Sequence, residues 1–244
     1  MSPATLALLS AAALVVAFLY SSVGHAGASG YIAVMALAGL SPDFIKPTAL
    51  ILNILVACLS SWQFYRAGHF SWRLFWPLAV VSVPCAFLGG WVRLPTHLFN
   101  ILLGLVLLYS AVRFLLPASP EREPTPPTLP TSLGVGAGLG FISGLTGVGG
   151  GIFLTPLLII RNWARTKTAS AVSAVFILVN SAAGLAGAAM HGSAMPVPSF
   201  SLAAAVLVGG AAGSYLGSHR FSVPMIKRLL ACVLTIAGLK LLLS

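Results

Sequence analysis

Acidic side chains are almost missing from this chain. Asp43, Glu121 and Glu123 are its three carboxylates in 244 residues, and charged residues of both signs make up only 7%. A soluble domain carries about 25% charged residues, so water is excluded as the main solvent. All three carboxylates are expected in loops, leaving none at membrane depth. Cysteine is equally scarce. Cys58, Cys85 and Cys232 lie in or beside apolar stretches, with no pair at metal-ligand spacing, and are expected to pack as small residues. Carriers of metal cations need hard oxygen ligands or clustered His and Cys. Neither pattern is present, and no metal or cofactor is expected. The opening "MSPATLALLS" has no basic n-region, so the first segment is expected to stay rather than be cleaved.

What remains is apolar. Hydrophobic residues make up 58% of the chain, and the mean hydropathy is +1.01. The runs 4–20, 74–91, 98–116, 168–190 and 200–217 approach the roughly 20 residues that cross a hydrocarbon core. An all-α, polytopic membrane protein follows. The net charge of +10 does not indicate nucleic acid, because the Lys and Arg residues cluster in short loops between apolar segments, where they set topology. Trp62, Trp72, Trp76, Trp91 and Trp163 suit the aromatic belts at the two interfaces.

The chain also repeats itself. A proline-rich stretch, "PASPEREPTPPTLPT" at 117–131, divides an N-terminal membrane repeat (1–116) from a C-terminal one (132–244) and reads as a solvated linker. "VGHAGASG" in the first half answers "TGVGGGIF" in the second, and "IKPTA" (45–49) answers "TKTAS" (166–170). "LGGWVR" (88–93) answers "YLGSHR" (215–220), and Arg113 answers Lys240. Each half holds five hydrophobic segments. They are roughly 4–22, 28–40, 48–64, 74–91 and 97–116, then 132–146, 150–160, 168–190, 200–217 and 229–243.

An odd number of segments per repeat turns the halves in opposite directions. Alternating sides puts Arg66, Arg73, Arg113, Arg122, Arg161, Arg165, Lys167, Arg220, Lys227 and Arg228 together, against Lys46, Arg93 and Lys240. The richer side is cytoplasmic. Two inverted repeats are therefore expected, with both termini extracytoplasmic and the linker inside. The second and seventh segments, about 13 and 11 residues, reach only about 20 and 16 Å as helices. They are expected to be half-helices in hairpins that enter the membrane from opposite faces.

Each half-helix starts just after its glycines. Breaking a helix in lipid leaves backbone groups unpaired unless protein or a water-filled cavity satisfies them. The free N–H groups and the positive end of the dipole then form an anion site, and discontinuous helices at the midplane of inverted repeats are a transporter arrangement. The expected binding residues are Gly24, His25, Gly27, Ser29, Thr146, Gly147, Gly149, Gly150, Gly151 and Asn53, with Ser21 and Ser22 as further hydroxyl donors. Lys46, Arg165 and Lys167 are expected to draw anions to the mouths. Gly136, Gly140 and Gly144, spaced four apart, suit tight helix packing instead. His25 either donates to an anion, carries a coupling proton or rests neutral on a backbone carbonyl. Asn53 and Asn180 either line the path or join helices. His191 is expected at the surface, and His69, His97 and His219 at the interfaces.

The duplicated glycine motif, "KPTALILN", "TKTASAVS" and the proline-rich middle resemble the TauE/SafE sulfite exporter family, also called the toluene sulfonate uptake permeases, over essentially the whole chain. "GLTGVGGGIFLTPLL" is close to that family's pattern, whereas "VGHAGASGYIAVMAL" departs from its run of glycines. The resemblance implies secondary transport of sulfite, sulfonates or sulfoacetate across a bacterial inner membrane. The partners expected are the anion and the bilayer, with protons and further copies of the chain as additional candidates. An anion channel, a non-transporting membrane partner subunit, and an intramembrane enzyme built on a Ser or Thr near His25 are the competing readings.

Overall fold

The structure is a computed structural model that describes residues 3–22, 25–115, 123–190, 200–219 and 223–243. Ten α-helices account for nearly all of them: α1 (Pro3–Ser22), α2 (Ala28–Leu37), α3 (Pro42–Arg66), α4 (Trp72–Trp91), α5 (Thr96–Leu115), α6 (Leu129–Thr146), α7 (Gly151–Ile160), α8 (Thr166–Met190), α9 (Phe200–His219) and α10 (Val223–Leu242). Among the described residues there is no strand. Helices α1, α3, α4, α5, α6 and α8 are long and apolar enough to cross a membrane, and α9 and α10 each run 20 residues. Helices α2 and α7 have 10 residues each. They rise about 15 Å and cannot cross.

The ten elements are the ten apolar segments, with two boundaries well off, the starts of α3 and α10. Helix α3 begins at Pro42, six positions before its apolar run, because Ser41 is extended and Pro42 occupies the first turn, where its missing N–H is harmless. Asp43 and Lys46 are therefore helical rather than in a loop. Asp43 is exposed in that first turn, where its charge complements the positive helix end.

Helix pairing repeats from one half to the other. Helix α4 packs on α6 as α9 packs on α1, α4 packs on α8 as α9 packs on α3, and α5–α10 and α3–α8 pair across the halves. Hydrophobicity does not drive helices together in lipid, so close backbone approach does. A Cβ on Gly136, Gly140 or Gly144 of α6 would strike the backbone of Leu78, Ser82 or Ala86 of α4. The rising register makes α4 and α6 parallel, and the three glycines are packing residues. On α9, Gly209 and Gly213 meet the backbone of Leu14 and Phe18 in the same way, so α9 and α1 are parallel too.

Lys240 ties the ends of the fold together. Its ammonium donates to the carbonyls of Ala36 and Leu37 at 3.0 and 2.9 Å, closing the C-terminus of α2 from α10. Trp62, Trp72, Trp76 and Trp91 are exposed and Trp163 is half-buried, as side chains of interfacial belts are. His97 is exposed and His69 half-buried, whereas His191 and the His219 side chain lie outside what is described. Cys58 and Cys232 are exposed and only Cys85 is half-buried. Packing therefore accounts for Cys85 and not for the other two.

Candidate functional site

The second break is a bend built from left-handed glycines. Helix α6 ends at Thr146, and Gly147, Gly149 and Gly150 have φ of 80°, 79° and 79°, a region that side chains with a Cβ enter only at a cost. Gly147 closes α6 by donating to the Ser143 carbonyl at 2.9 Å. Gly150 then opens α7. Its carbonyl takes the N–H groups of Phe153 and Leu154, both at 3.1 Å. The N–H groups of Gly151 and Ile152 precede that first turn of bonds and point past the helix end.

Side chains from α3, α6 and α8 close around this bend. Asn53, wholly buried on α3, donates through Nδ2 to the Ser181 hydroxyl at 3.1 Å and toward the Val148 carbonyl at 3.4 Å. A Cβ on Gly149 would run into that amide and would stand 2.9 Å from Ser181 Oγ. A Cβ on Gly150 would come within 2.9 Å of the Phe176 ring and 3.3 Å of Ser143 Cβ. Gly151 lies against Ile177 and the Ser173 carbonyl. Glycine is required here by neighbours as well as by φ. Among the described residues, Asn53 Oδ1, Ser143 Oγ and Ser173 Oγ have no hydrogen-bond partner, and all three residues are fully buried. Buried polar atoms without partners are rare in folded proteins, and these three come from the helices that surround the α7 N-terminus.

The first break is furnished differently. His25 donates its backbone N–H to the Tyr20 carbonyl at 3.0 Å, and Gly27, with φ 99°, caps α2. Tyr31 folds back so that its hydroxyl donates to the Ala26 carbonyl at 2.9 Å, and its ring fills the space that a Gly27 side chain would take. Tyr20 and Ser29 join hydroxyls at 2.8 Å. His25 is 8% exposed. Ser21 Oγ has no partner among the described residues. A cavity of about 240 Å³ beside this break is lined by Leu9, Ala13, Tyr31, Met35, Phe44, Leu52 and other apolar side chains; it offers little to an anion.

The expected residues are thus only partly brought together. Gly147, Gly149, Gly150, Gly151 and Asn53 converge. Thr146 borders them, but its hydroxyl donates to the Ile142 carbonyl at 2.7 Å, and that of Ser29 is engaged with Tyr20. Gly24 and the Ser22 side chain lie outside what is described. The two breaks share one buried cluster, which contains Ala26, Tyr31, Val148 and Ile152 together with Leu52, Val56 and Ile177. Lys46 approaches the second break at Gly147, yet its ammonium donates to the carbonyls of Gly89, Gly90 and Val92 at 3.3, 3.2 and 3.4 Å, and so caps α4. Arg165 and Lys167 are exposed at the start of α8. Asn180 donates to the Phe176 carbonyl of its own helix at 2.8 Å.

Sequence reasoning overlooked Ser143, Ser173 and Ser181, and the two tyrosines that fasten the first break. The serines carried a faint signal, since a buried polar residue in an apolar helix must find a partner. The tyrosines carried a clearer one: both sit next to the break, away from the belts, with a hydroxyl to satisfy.

Residues 9–241 match the family described as Sulfite exporter TauE/SafE. The chain belongs to this family. As a TauE/SafE protein it is a membrane transporter and not an enzyme, which sets aside the Ser or Thr chemistry considered near His25. It is 42% identical over 241 residues to "Probable membrane transporter protein y4hK" of Sinorhizobium fredii, covering 96% of this chain and 97% of that one. It is 26% identical over 250 residues to "Probable membrane transporter protein YjnA" of Bacillus subtilis, covering 94% and 96%. No solved structure matches this TauE/SafE chain.

Proposed function

We propose that the chain is a secondary transporter of small sulfur-containing anions, of the sulfite, sulfonate or sulfoacetate type, in a bacterial inner membrane. The observation that carries this reading is the second break: the α7 N-terminus, held open by three left-handed glycines and faced by Asn53 and Ser143, whose buried Oδ1 and Oγ are without partners among the described residues. An oxyanion accepts hydrogen bonds from the Ser143 hydroxyl and from the free N–H groups of the first turn of α7, and sits favourably at the positive helix end. The substrate class is drawn from the family's description, and the geometry supports an anion.

Alternating access by two inverted repeats is the mechanism in keeping with the cross-half pairing of helices. In this reading the repeats rock about α3 and α8 and open the site to each side in turn. The exposed Arg165 and Lys167 draw anions to the cytoplasmic mouth, whereas Lys46 holds α4 against the second break. The first break, fastened by Tyr20 and Tyr31, acts as the opposing wall, with His25 beside it as a group able to take up a proton. Both termini are extracytoplasmic and the proline-rich linker is cytoplasmic.

The test is transport by the purified protein in liposomes, using labelled sulfite, sulfonates and unrelated anions with and without a pH gradient. Saturable uptake of sulfur anions with counterflow is expected. Rates no higher than those of empty vesicles would remove the substrate assignment, and flux that does not saturate would point to a channel.

A further inference from the structure

We propose that the second break takes its substrate as a monoanion, hydrogen sulfite or a singly charged sulfonate, and rejects dianions such as fully deprotonated sulfite, sulfate and sulfoacetate. This rests on the transport reading above and narrows it.

The charges around the break decide the matter. Helices α6 and α7 contain no charged residue. On α8 the charged side chain is Lys167, in the first turn and exposed. On α5, Arg113 stands in the last turn and His97 is exposed at the start. On α3, Asp43 and Arg66 lie at opposite ends. Lys46 is the cation that touches the bend, through the contact of its backbone and Cγ with Gly147. Its ammonium is turned to the carbonyls of Gly89, Gly90 and Val92, three acceptors for its three hydrogens. These acceptors form the negative end of α4, which offsets much of its charge. His25 belongs to the first break.

The guest therefore meets neutral donors and one helix N-terminus, equivalent to about half an elementary charge. Stripping water from an ion carries a penalty that grows with the square of its charge. A site of this kind offsets one charge far better than two. Asn53 adds a second discrimination. Its Oδ1, fully buried, has no donor opposite it among the described residues. A protonated oxyanion brings an O–H to that acceptor, and a fully deprotonated one brings only more acceptors. Fully deprotonated sulfite takes up a single proton near neutral pH to give hydrogen sulfite, so the site selects one form of a molecule present in two.

The experiment measures initial rates in proteoliposomes for sulfite, methanesulfonate, sulfoacetate and sulfate, at several pH values on either side of neutrality and at constant total anion. Sulfite transport is expected to fall several-fold per pH unit on the alkaline side, in step with its hydrogen sulfite fraction. Methanesulfonate, singly charged throughout, is expected to change less than twofold, with sulfoacetate and sulfate at the empty-vesicle rate. The sulfite slope is expected to persist in His25→Gln even if that variant is slower. A flat sulfite profile, sulfoacetate moving as fast as methanesulfonate, or loss of the slope in His25→Gln would each overturn the monoanion assignment while leaving sulfur-anion transport standing. Failure of all four anions would overturn the transport reading, and this inference with it.

Discussion

At the scale of single residues, two kinds of buried polar atom must be separated. Asn53 Nδ2 has partners, and so do the hydroxyls of Thr146 and Ser29; they hold the backbone in place. Ser143 Oγ has none among the described residues. Removing a hydrogen bond that is not made is nearly neutral for stability, whereas a group that reaches the substrate contributes about 1 kcal/mol. Ser143→Ala is therefore expected to keep the thermal transition of the wild type within a degree or two while raising the apparent KM for transport about fivefold. Transport assays and thermal unfolding of the same preparation check both halves. A large loss of stability with unchanged KM would make Ser143 a packing residue. Gly150 makes the opposite case. Valine there needs a left-handed backbone that a β-branched residue resists by about 1–2 kcal/mol or more, and its side chain meets the Phe176 ring. Gly150→Val is expected to abolish transport while expression and helical circular dichroism remain. Wild-type turnover in that variant would return the glycine to a mere spacer.

At the scale of elements, helix packing is carried by backbone contact. The parallel α4–α6 and α1–α9 pairs both use glycine: α6 supplies Gly136, Gly140 and Gly144 and α4 supplies Gly89 in one, and α9 supplies Gly209 and Gly213 in the other. By repeat position α6 corresponds to α1 and α4 to α9, so the interface recurs although α1 contains no glycine. Gly138 and Gly140 give an internal control. A Cβ on Gly138 would meet open space, whereas one on Gly140 would strike the Ser82 backbone. Gly138→Ala is expected to be neutral or stabilising by about 0.5–1 kcal/mol through helix propensity. Gly140→Val is expected to cost about 1–3 kcal/mol by overpacking. Thermal unfolding in detergent, followed by gel filtration, distinguishes them; equal behaviour of the two would contradict backbone contact between α4 and α6.

At the scale of the whole molecule, charge and packing bear on one another. Lys46 and Lys240 were two of the three basic residues assigned against the majority side. In the fold each donates to carbonyls at a helix C-terminus, Lys46 on α4 and Lys240 on α2, so internal bonds account for their being there. The proposed topology has an extracytoplasmic C-terminus and a cytoplasmic linker. A reporter enzyme that works only outside the cytoplasm is expected to be active when fused after Ser244 and silent when inserted at Thr125. The reverse pattern would turn the protein over in the membrane and remove the basis for calling Arg165 and Lys167 cytoplasmic.

The number of helices, their approximate ends and the two interruptions were determined by the sequence alone. Solvent acts on runs of residues: about 20 apolar positions suit a hydrocarbon core, and the glycines at the two breaks permit the left-handed backbone that an interruption needs. Even there, α3 started early because Pro42 and Asp43 favour a helix N-terminus, a local effect that hydropathy does not register. What the tertiary structure decided was which polar atoms face which. Ser143 and Ser173, both unremarked in their helices, flank the α7 N-terminus because α6 and α8 meet there. Lys46 turned out to cap α4 because Gly89, Gly90 and Val92 lie opposite it, some forty positions along the chain. Such pairings arise from packing between distant segments, and the pattern along any one segment does not contain them.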